Sequence, residues 1–156
     1  MSRWNNKIVI FDLDGTLADI TLRRTLATDA TNGKLDWDIF FDPKNIDLDQ
    51  PNTPVITTAQ LFHSQGFKIF IFSGRSGKTL NATLNWLKTN DVPFDRLMMR
   101  PTDKHHHFMK DSDLKQKWLD DIGVDNVAMV FDDRNQVVDM WRKNGLTTFQ
   151  VADGDF

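Results

Sequence analysis

Five short apolar runs punctuate this chain: Lys7–Phe11 (KIVIF), Phe67–Phe72 (FKIFIF), Arg96–Arg100 (RLMMR), Val127–Phe131 (VAMVF) and Thr147–Val151 (TTFQV). Near-continuous hydrophobicity of this kind suits strands covered on both faces of a parallel sheet. Helical patterns lie between them. Pro54–Gln65 sets Val55, Ala59, Leu61 and Phe62 toward one side, and Gly66 stops it. Lys78–Thr89 offers Leu80, Leu84 and Leu87, and Asp111–Ile122 offers Leu114, Trp118 and Ile122 before Gly123. Arg134–Asn144 offers Val137, Val138 and Trp141, with Gly145 as terminator. Strands alternating with helices mean βαβ units and an α/β fold.

Residues 19–53 break this rhythm. Thr21–Ala30 reads as a helix, followed by Leu35-Asp36-Trp37-Asp38-Ile39-Phe40-Phe41 and the turn-rich Asp42–Pro54. The expectation is an insertion after the first strand, folded over the sheet edge as a small cap. The 156 residues otherwise fit one domain, 1–156.

Composition narrows the chemistry. There is no cysteine, which excludes disulfides, thiol catalysis and thiolate metal sites. All 22 acidic residues are aspartate, so any carboxylate chemistry falls to Asp. Tyr is also absent, and nothing physical in the sequence explains the missing Glu and Tyr. A net charge of -3 gives no broad electrostatic grip on nucleic acid, though it leaves room for a local basic site. Met1–Ile10 lacks the pattern of a signal peptide, and no run approaches the ~18 apolar residues of a membrane span. The expectation is a cytoplasmic protein with no membrane association.

Three of the five runs end in polar clusters: Asp12-x-Asp14-Gly15-Thr16, Ser73-Gly74-Arg75 and Asp132-Asp133-Arg134. In open α/β sheets ligands bind beyond the carboxyl ends of strands, so these clusters converge. Four carboxylates at one point repel unless a cation sits among them. The clusters supply only oxygen ligands, which selects a hard cation, foremost Mg²⁺. A magnesium site beside a hydroxyl and cations suits a phosphate group, and a carboxylate can attack it to form an aspartyl-phosphate.

The motifs FDLDGT (11–16), FSGR (72–75) and FDDR (131–134), with a lysine at Lys115 or Lys110 between the last two, resemble the four motifs of the haloacid dehalogenase (HAD) superfamily. The run Asp132–Arg142 and the ending Gln150–Phe156 resemble more particularly the phosphatase domain of phage polynucleotide kinase-phosphatases. The resemblance implies a HAD-like, Rossmannoid three-layer sandwich with a central parallel sheet of about five strands in the order 3-2-1-4-5. It implies that Asp12 attacks phosphorus and that Asp14 acts as general acid and base. Thr16, Ser73, Gly74 and Lys115 would hold the phosphoryl group, and Arg75 would reach the substrate phosphate. Asp12, the carbonyl of Asp14, Asp132 and Asp133 would bind Mg²⁺, Asp133 directly or through water, unless Asp133 serves only to pair with Arg134.

The implied activity is removal of a 3′-phosphate from DNA or RNA ends. A nucleotidase acting on nucleoside monophosphates is the alternative, and a non-catalytic receiver-like module is a third class. Bifunctional members carry an N-terminal P-loop kinase, and this chain begins at the phosphatase strand. The expectation is a stand-alone phosphatase served by a separate kinase or ligase, in the host cytoplasm if phage-encoded. Ser73-Gly74-Arg75-Ser76-Gly77-Lys78-Thr79 imitates a P-loop, but the first glycine of that motif falls on Phe72. His105-His106-His107 reads as a solvated loop near the site's rim. Trp37, Phe40 and Phe41 either form the core of the cap or stack on a base. Arg23 and Arg24 are either a solvated face or a guide for a polyanion.

Overall fold

The computed structural model describes residues 5–29 and 31–156. Met1–Trp4 of the leading segment, and Ala30 at the end of the first expected helix, lie outside them.

Five parallel strands make the main sheet: β1 (Ile8–Phe11), β4 (Lys68–Ser76), β5 (Arg96–Arg100), β6 (Val127–Asp132) and β7 (Thr148–Gln150). Their order is β5-β4-β1-β6-β7. Counting these five alone gives 3-2-1-4-5, as expected. The alternation of a strand explains how one sequence run feeds two cores. Val9 and Phe11 join Ile69, Ile71 and Phe131 on one face, under Val55, Ile56 and Ala59 of α3 (Thr53–Ser64) and Trp86 and Leu87 of α4 (Leu80–Thr89). Ile8 and Ile10 join Phe70, Phe72 and Val130 on the other. That face is covered by Leu114, Trp118 and Leu119 of α6 (Asp111–Ile122) and by Val137, Val138 and Trp141 of α7 (Asn135–Lys143). The result is a three-layer α/β Rossmannoid sandwich.

Two helical faces differ from the sequence reading. Leu61 is 62% exposed, because at 100° per residue it lies about 200° from Ala59, which faces the sheet. In α4 the buried face is Thr83, Trp86 and Leu87, leaving Leu80 and Leu84 toward solvent. The expected loop at His105–His107 is instead a short helix, α5 (Lys104–His107), whose first turn is capped by the Asp103 carboxylate accepting from the His106 N–H.

After β1 the chain makes the excursion that the sequence isolates as 19–53. β2 (Ala18–Asp19) pairs antiparallel with β3 (Gln50–Pro51), so the two ends of the excursion are tied together. Between them lie α1 (Thr21–Ala27), α2 (Trp37–Phe40) and a 3-10 turn, Pro43–Leu48. β4 runs four residues beyond the expected end. Ser73 pairs with Met99 and Ser76 with Arg100, so the strand bulges at Gly74 and Arg75. A bulge re-aims a side chain, and here the re-aimed one is Arg75. Among the described residues no helix is long and apolar enough to cross a membrane.

Ile10 is fully buried in the central strand, so Ile10→Ala is expected to lower unfolding free energy by about 2–5 kcal/mol. Leu61→Ala is expected to change it by no more than about 0.5 kcal/mol. Urea titration of the two variants checks both, and an equal loss would contradict the assigned faces.

Candidate active site

The central position of β1, between β4 and β6, decides where the chemistry gathers. Asp12 follows β1 directly, and Asp132 ends its neighbour β6 with Asp133 next in the chain. One carboxylate oxygen from each of Asp12, Asp132 and Asp133 lies within 4.8 Å of the other two. All three residues are buried. The only side-chain cation bonded to this trio is Lys115 of α6, among the described residues. Its Nζ donates to Asp12 Oδ1 at 2.8 Å and to Asp132 Oδ2 at 3.1 Å. Lys110, the competing lysine, is the exposed N-cap of α6 and makes neither contact.

Electrostatics follow from this crowding. Burial, then the charge of Asp132, pushes the Asp12 carboxyl well above its ordinary range against the pull of Lys115. Burial raises Asp133 as well, although hydrogen bonding with Asp12 opposes it. Burial alone would lower Lys115, but Asp12 and Asp132 outweigh it and hold the ammonium firmly charged. Two neutral donors help to fix the acids. Thr16 Oγ1 donates to Asp12 Oδ2 at 3.1 Å, and Trp141 Nε1 donates to Asp132 Oδ2 at 3.1 Å. Gly15 is needed where the chain turns after Asp12. Its φ of 82° favours glycine, and a Cβ there would collide with the Asp133 carboxylate.

Asp14 stands apart from this trio, in a second buried network. Arg75 Nε and Arg23 Nη2 both donate to its Oδ1 at 2.8 Å. The same two arginines also bind Asp49, by Arg23 Nε at 2.9 Å and Arg75 Nη2 at 2.7 Å. Burial would raise the Asp14 carboxyl, but Arg75 and Arg23 together hold it below its ordinary value. Burial pushes Asp49 up to about 6 despite the same arginines. All these bonds fall on Oδ1 of Asp14, and its side chain is 22% exposed.

The structure therefore brings together Asp12, Asp132, Asp133 and Lys115, with Asp14 beside them. It places three other expected residues differently. Arg75 borders the cleft, but its guanidinium is already occupied by Asp14, Asp49 and Thr83 rather than left free for a phosphate. Thr16 is fully buried and binds carboxylates rather than lining the cleft. Ser73 is also buried, its Oγ accepting from the Arg75 N–H. Gly74 does line the cleft, and its carbonyl accepts from Arg100 Nε. Arg23 is neither a solvated face nor a guide, being fully buried, whereas Arg24 is exposed at the cleft.

Two residues of the site escape sequence reasoning. Asp111 binds Arg100 and Arg134, and it precedes Lys115 by one helical turn, a spacing that puts both on one face of α6. Asp49 sits in a turn-rich stretch among Asp42 and Asp47, with no local signal to single it out. The cleft over these groups measures about 960 Å³. That is far more than a phosphate fills and is ample for a nucleotide.

The site is all oxygen donors around one ammonium, which fits a hard divalent cation at Asp12, Asp132 and Asp133. Comparison with known proteins identifies the family. Residues 6–156 match the family model described as the polynucleotide kinase PNKP phosphatase domain. A bifunctional polynucleotide kinase/RNA ligase of Autographa californica nuclear polyhedrosis virus is 35% identical over 152 residues, covering 94% of this chain and 19% of the relative. A chain of the Pnkp1/Rnl/Hen1 complex superposes with a TM-score of 0.77 at 35% identity, covering 97% of this chain and 47% of that one. A haloacid dehalogenase-like hydrolase from Streptococcus pneumoniae shares the fold alone, with a TM-score of 0.63 at 15% identity over 92% of this chain and 83% of that one. This chain thus spans about a fifth of the viral relative and under half of the Pnkp1 chain.

Replacing Asp49 leaves two buried guanidinium groups sharing one carboxylate. Asp49→Asn is expected to cost about 3–5 kcal/mol of stability. The exposed Asp47→Asn is expected to stay within about 0.5 kcal/mol. Equal denaturation midpoints for the two variants would contradict the network.

Proposed function

Because the chain belongs to the polynucleotide kinase PNKP phosphatase-domain family, and is on that footing a HAD-type phosphoric monoester hydrolase, we propose that it removes a 3′-phosphate from DNA or RNA ends through a phospho-Asp12 intermediate. The observation that carries the reading is Asp12 at the end of the central strand, with Lys115 on one carboxylate oxygen and Thr16 on the other.

Asp12 attacks phosphorus in line, and the bond to the sugar oxygen breaks. Lys115 offsets charge on both the nucleophile and the transferring phosphoryl oxygens. Ser73 is buried and its oxygen accepts from the Arg75 N–H, so Gly74, which lines the cleft, is the residue of this pair left to meet the phosphoryl group. Asp14, once it has taken a proton from solvent through its exposed edge, gives that proton to the leaving alkoxide and takes another from the water that later attacks phospho-Asp12. Both arginines bind Oδ1, which leaves Oδ2 for this proton. Arg75 acts through Asp14 rather than on the phosphate. A carboxylate held below its ordinary pKa is suited at rest to the second, base step.

Asp12, Asp132 and Asp133 are the residues that would hold Mg²⁺, with the carbonyl of Asp14. The turn's backbone bonds end on the carbonyls of Leu13 and Ala18 and leave that carbonyl to the metal. When bound, the ion supplies charge neutralisation for the crowded acids and the phosphate. Residues 19–53 serve as a cap whose Arg23 and Asp49 reach the acid–base residue. Kinase or ligase activity would complete end repair, and the viral relative is named as a polynucleotide kinase/RNA ligase.

Phosphate release from a 3′-phosphorylated oligonucleotide, against free nucleoside 3′- and 5′-monophosphates, tests the substrate. Turnover of the free nucleotides alone would favour the nucleotidase and overturn end healing. Asp12→Asn is expected to abolish release with the circular dichroism spectrum intact. Asp14→Asn is expected to lose about 10²–10⁴-fold in kcat. Mg²⁺ is expected to raise the Tm of the wild type, because a ligand of the folded state alone stabilises it, and to leave that of Asp132→Asn unmoved. A Tm indifferent to Mg²⁺ in the wild type would contradict the metal assignment.

A further inference from the structure

Resting on that reading, we propose that Trp37 is the stacking platform for the terminal nucleobase of the strand whose phosphate is cleaved. Trp37 is 56% exposed, a large apolar surface left in water, and it lines the same cleft as Asp12 and Asp14. An exposed indole alone carries little, since single apolar residues on a surface are ordinary. The support beneath this one is what sets it apart.

Trp37 belongs to a three-ring cluster. Its ring stacks on Phe41 with centroids 5.6 Å apart and planes 18° from parallel, and it meets Phe40 edge-on at 5.7 Å. Phe40 is buried and is fastened to the catalytic network twice by one residue. The Arg23 guanidinium lies 4.3 Å over its ring, and Arg23 Nη1 donates to its carbonyl at 3.1 Å. The same guanidinium donates to Asp14 at 2.8 Å. One buried cation therefore fixes the aromatic cluster relative to the acid–base carboxylate. The turn that carries the cluster is itself held by Asp36, whose carboxylate accepts from the N–H groups of Asp38 and Ile39. Phe108 lines the cleft too and is 86% exposed, but its ring leans on exposed His107 and has no comparable anchor.

The occupant follows from shape and from where cations are on offer. Exposed Arg24, Lys78 and Lys110 line the cleft that Trp37 borders, together with exposed Asp19, Asp38 and Asp153. A polyanion with flat bases meets both features: phosphates on the cations, a base on the indole. Stacking is indifferent to base identity, because every base has a π face. The platform thus gives affinity for an end without a sequence requirement.

The test compares kcat and KM for two 3′-phosphorylated oligonucleotides, one ending in a normal nucleotide and one ending in an abasic sugar. Wild type, Trp37→Ala and Trp37→Phe are measured. Trp37→Ala is expected to lose about 5–100-fold in kcat/KM on the base-bearing end, through KM, since stacking is worth about 1–3 kcal/mol per base. It is expected to match wild type on the abasic end, and Trp37→Phe is expected to recover most of the loss. An equal loss on both ends would make Trp37 a structural support of the cap and overturn the inference. No loss on either end would overturn it also. Wild type inactive on both ends would fell the end-healing reading and the platform with it, whereas active wild type without discrimination by Trp37→Ala fells the platform alone.

Discussion

Three buried carboxylates held against one buried ammonium are the constraint on which this site turns. β1 and β6 run parallel and adjacent, so the acids that follow them must end side by side. Lys115 reaches them from α6, a helix anchored to the opposite core by Leu114, Trp118 and Leu119. Burial, and after it the charge of Asp132, holds the Asp12 and Asp133 carboxyls above their ordinary range against the pull of Lys115. A trio of oxygen ligands left short of positive charge in this way fits a divalent cation.

The second constraint lies in the arginine pair. Arg23 comes from the excursion after β1, and Arg75 from the bulge of β4. Both close on Asp14 and Asp49, so an element outside the sheet is tied to the residue proposed to move the proton. The network is buried, and its charges are two and two. Removing Asp49 or either arginine leaves an uncompensated charge among buried side chains. That coupling explains why the excursion can be small and still fix the position of Asp14.

Much of this was legible in the sequence. The five apolar runs became the five strands, in the expected order, because a parallel sheet buried on both faces requires such runs. Asp12, Asp132 and Asp133 were legible because strand ends converge in an open α/β sheet. Lys115 could be singled out only through a resemblance, as Lys110 lies nearby with equal chemistry. Arg75 was placed in the right cluster, but its direction depends on a bulge that no residue pattern announces. Asp49 was beyond reach for a similar reason: its partners are 26 residues away on either side, at Arg23 and Arg75, and long-range burial leaves no periodic trace. The exposed Leu61 is a misjudged helical phase, where apolar character alone outweighed the 100° step.

The stereochemical course at phosphorus tests the central claim most directly. A phosphate monoester made chiral with oxygen isotopes is turned over in the presence of an acceptor alcohol, and the configuration of the product is read. Attack by Asp12 followed by attack of the acceptor inverts twice, so the account predicts retention. Inversion would mean a single direct displacement, with Asp12 as a bystander to the bond-making step.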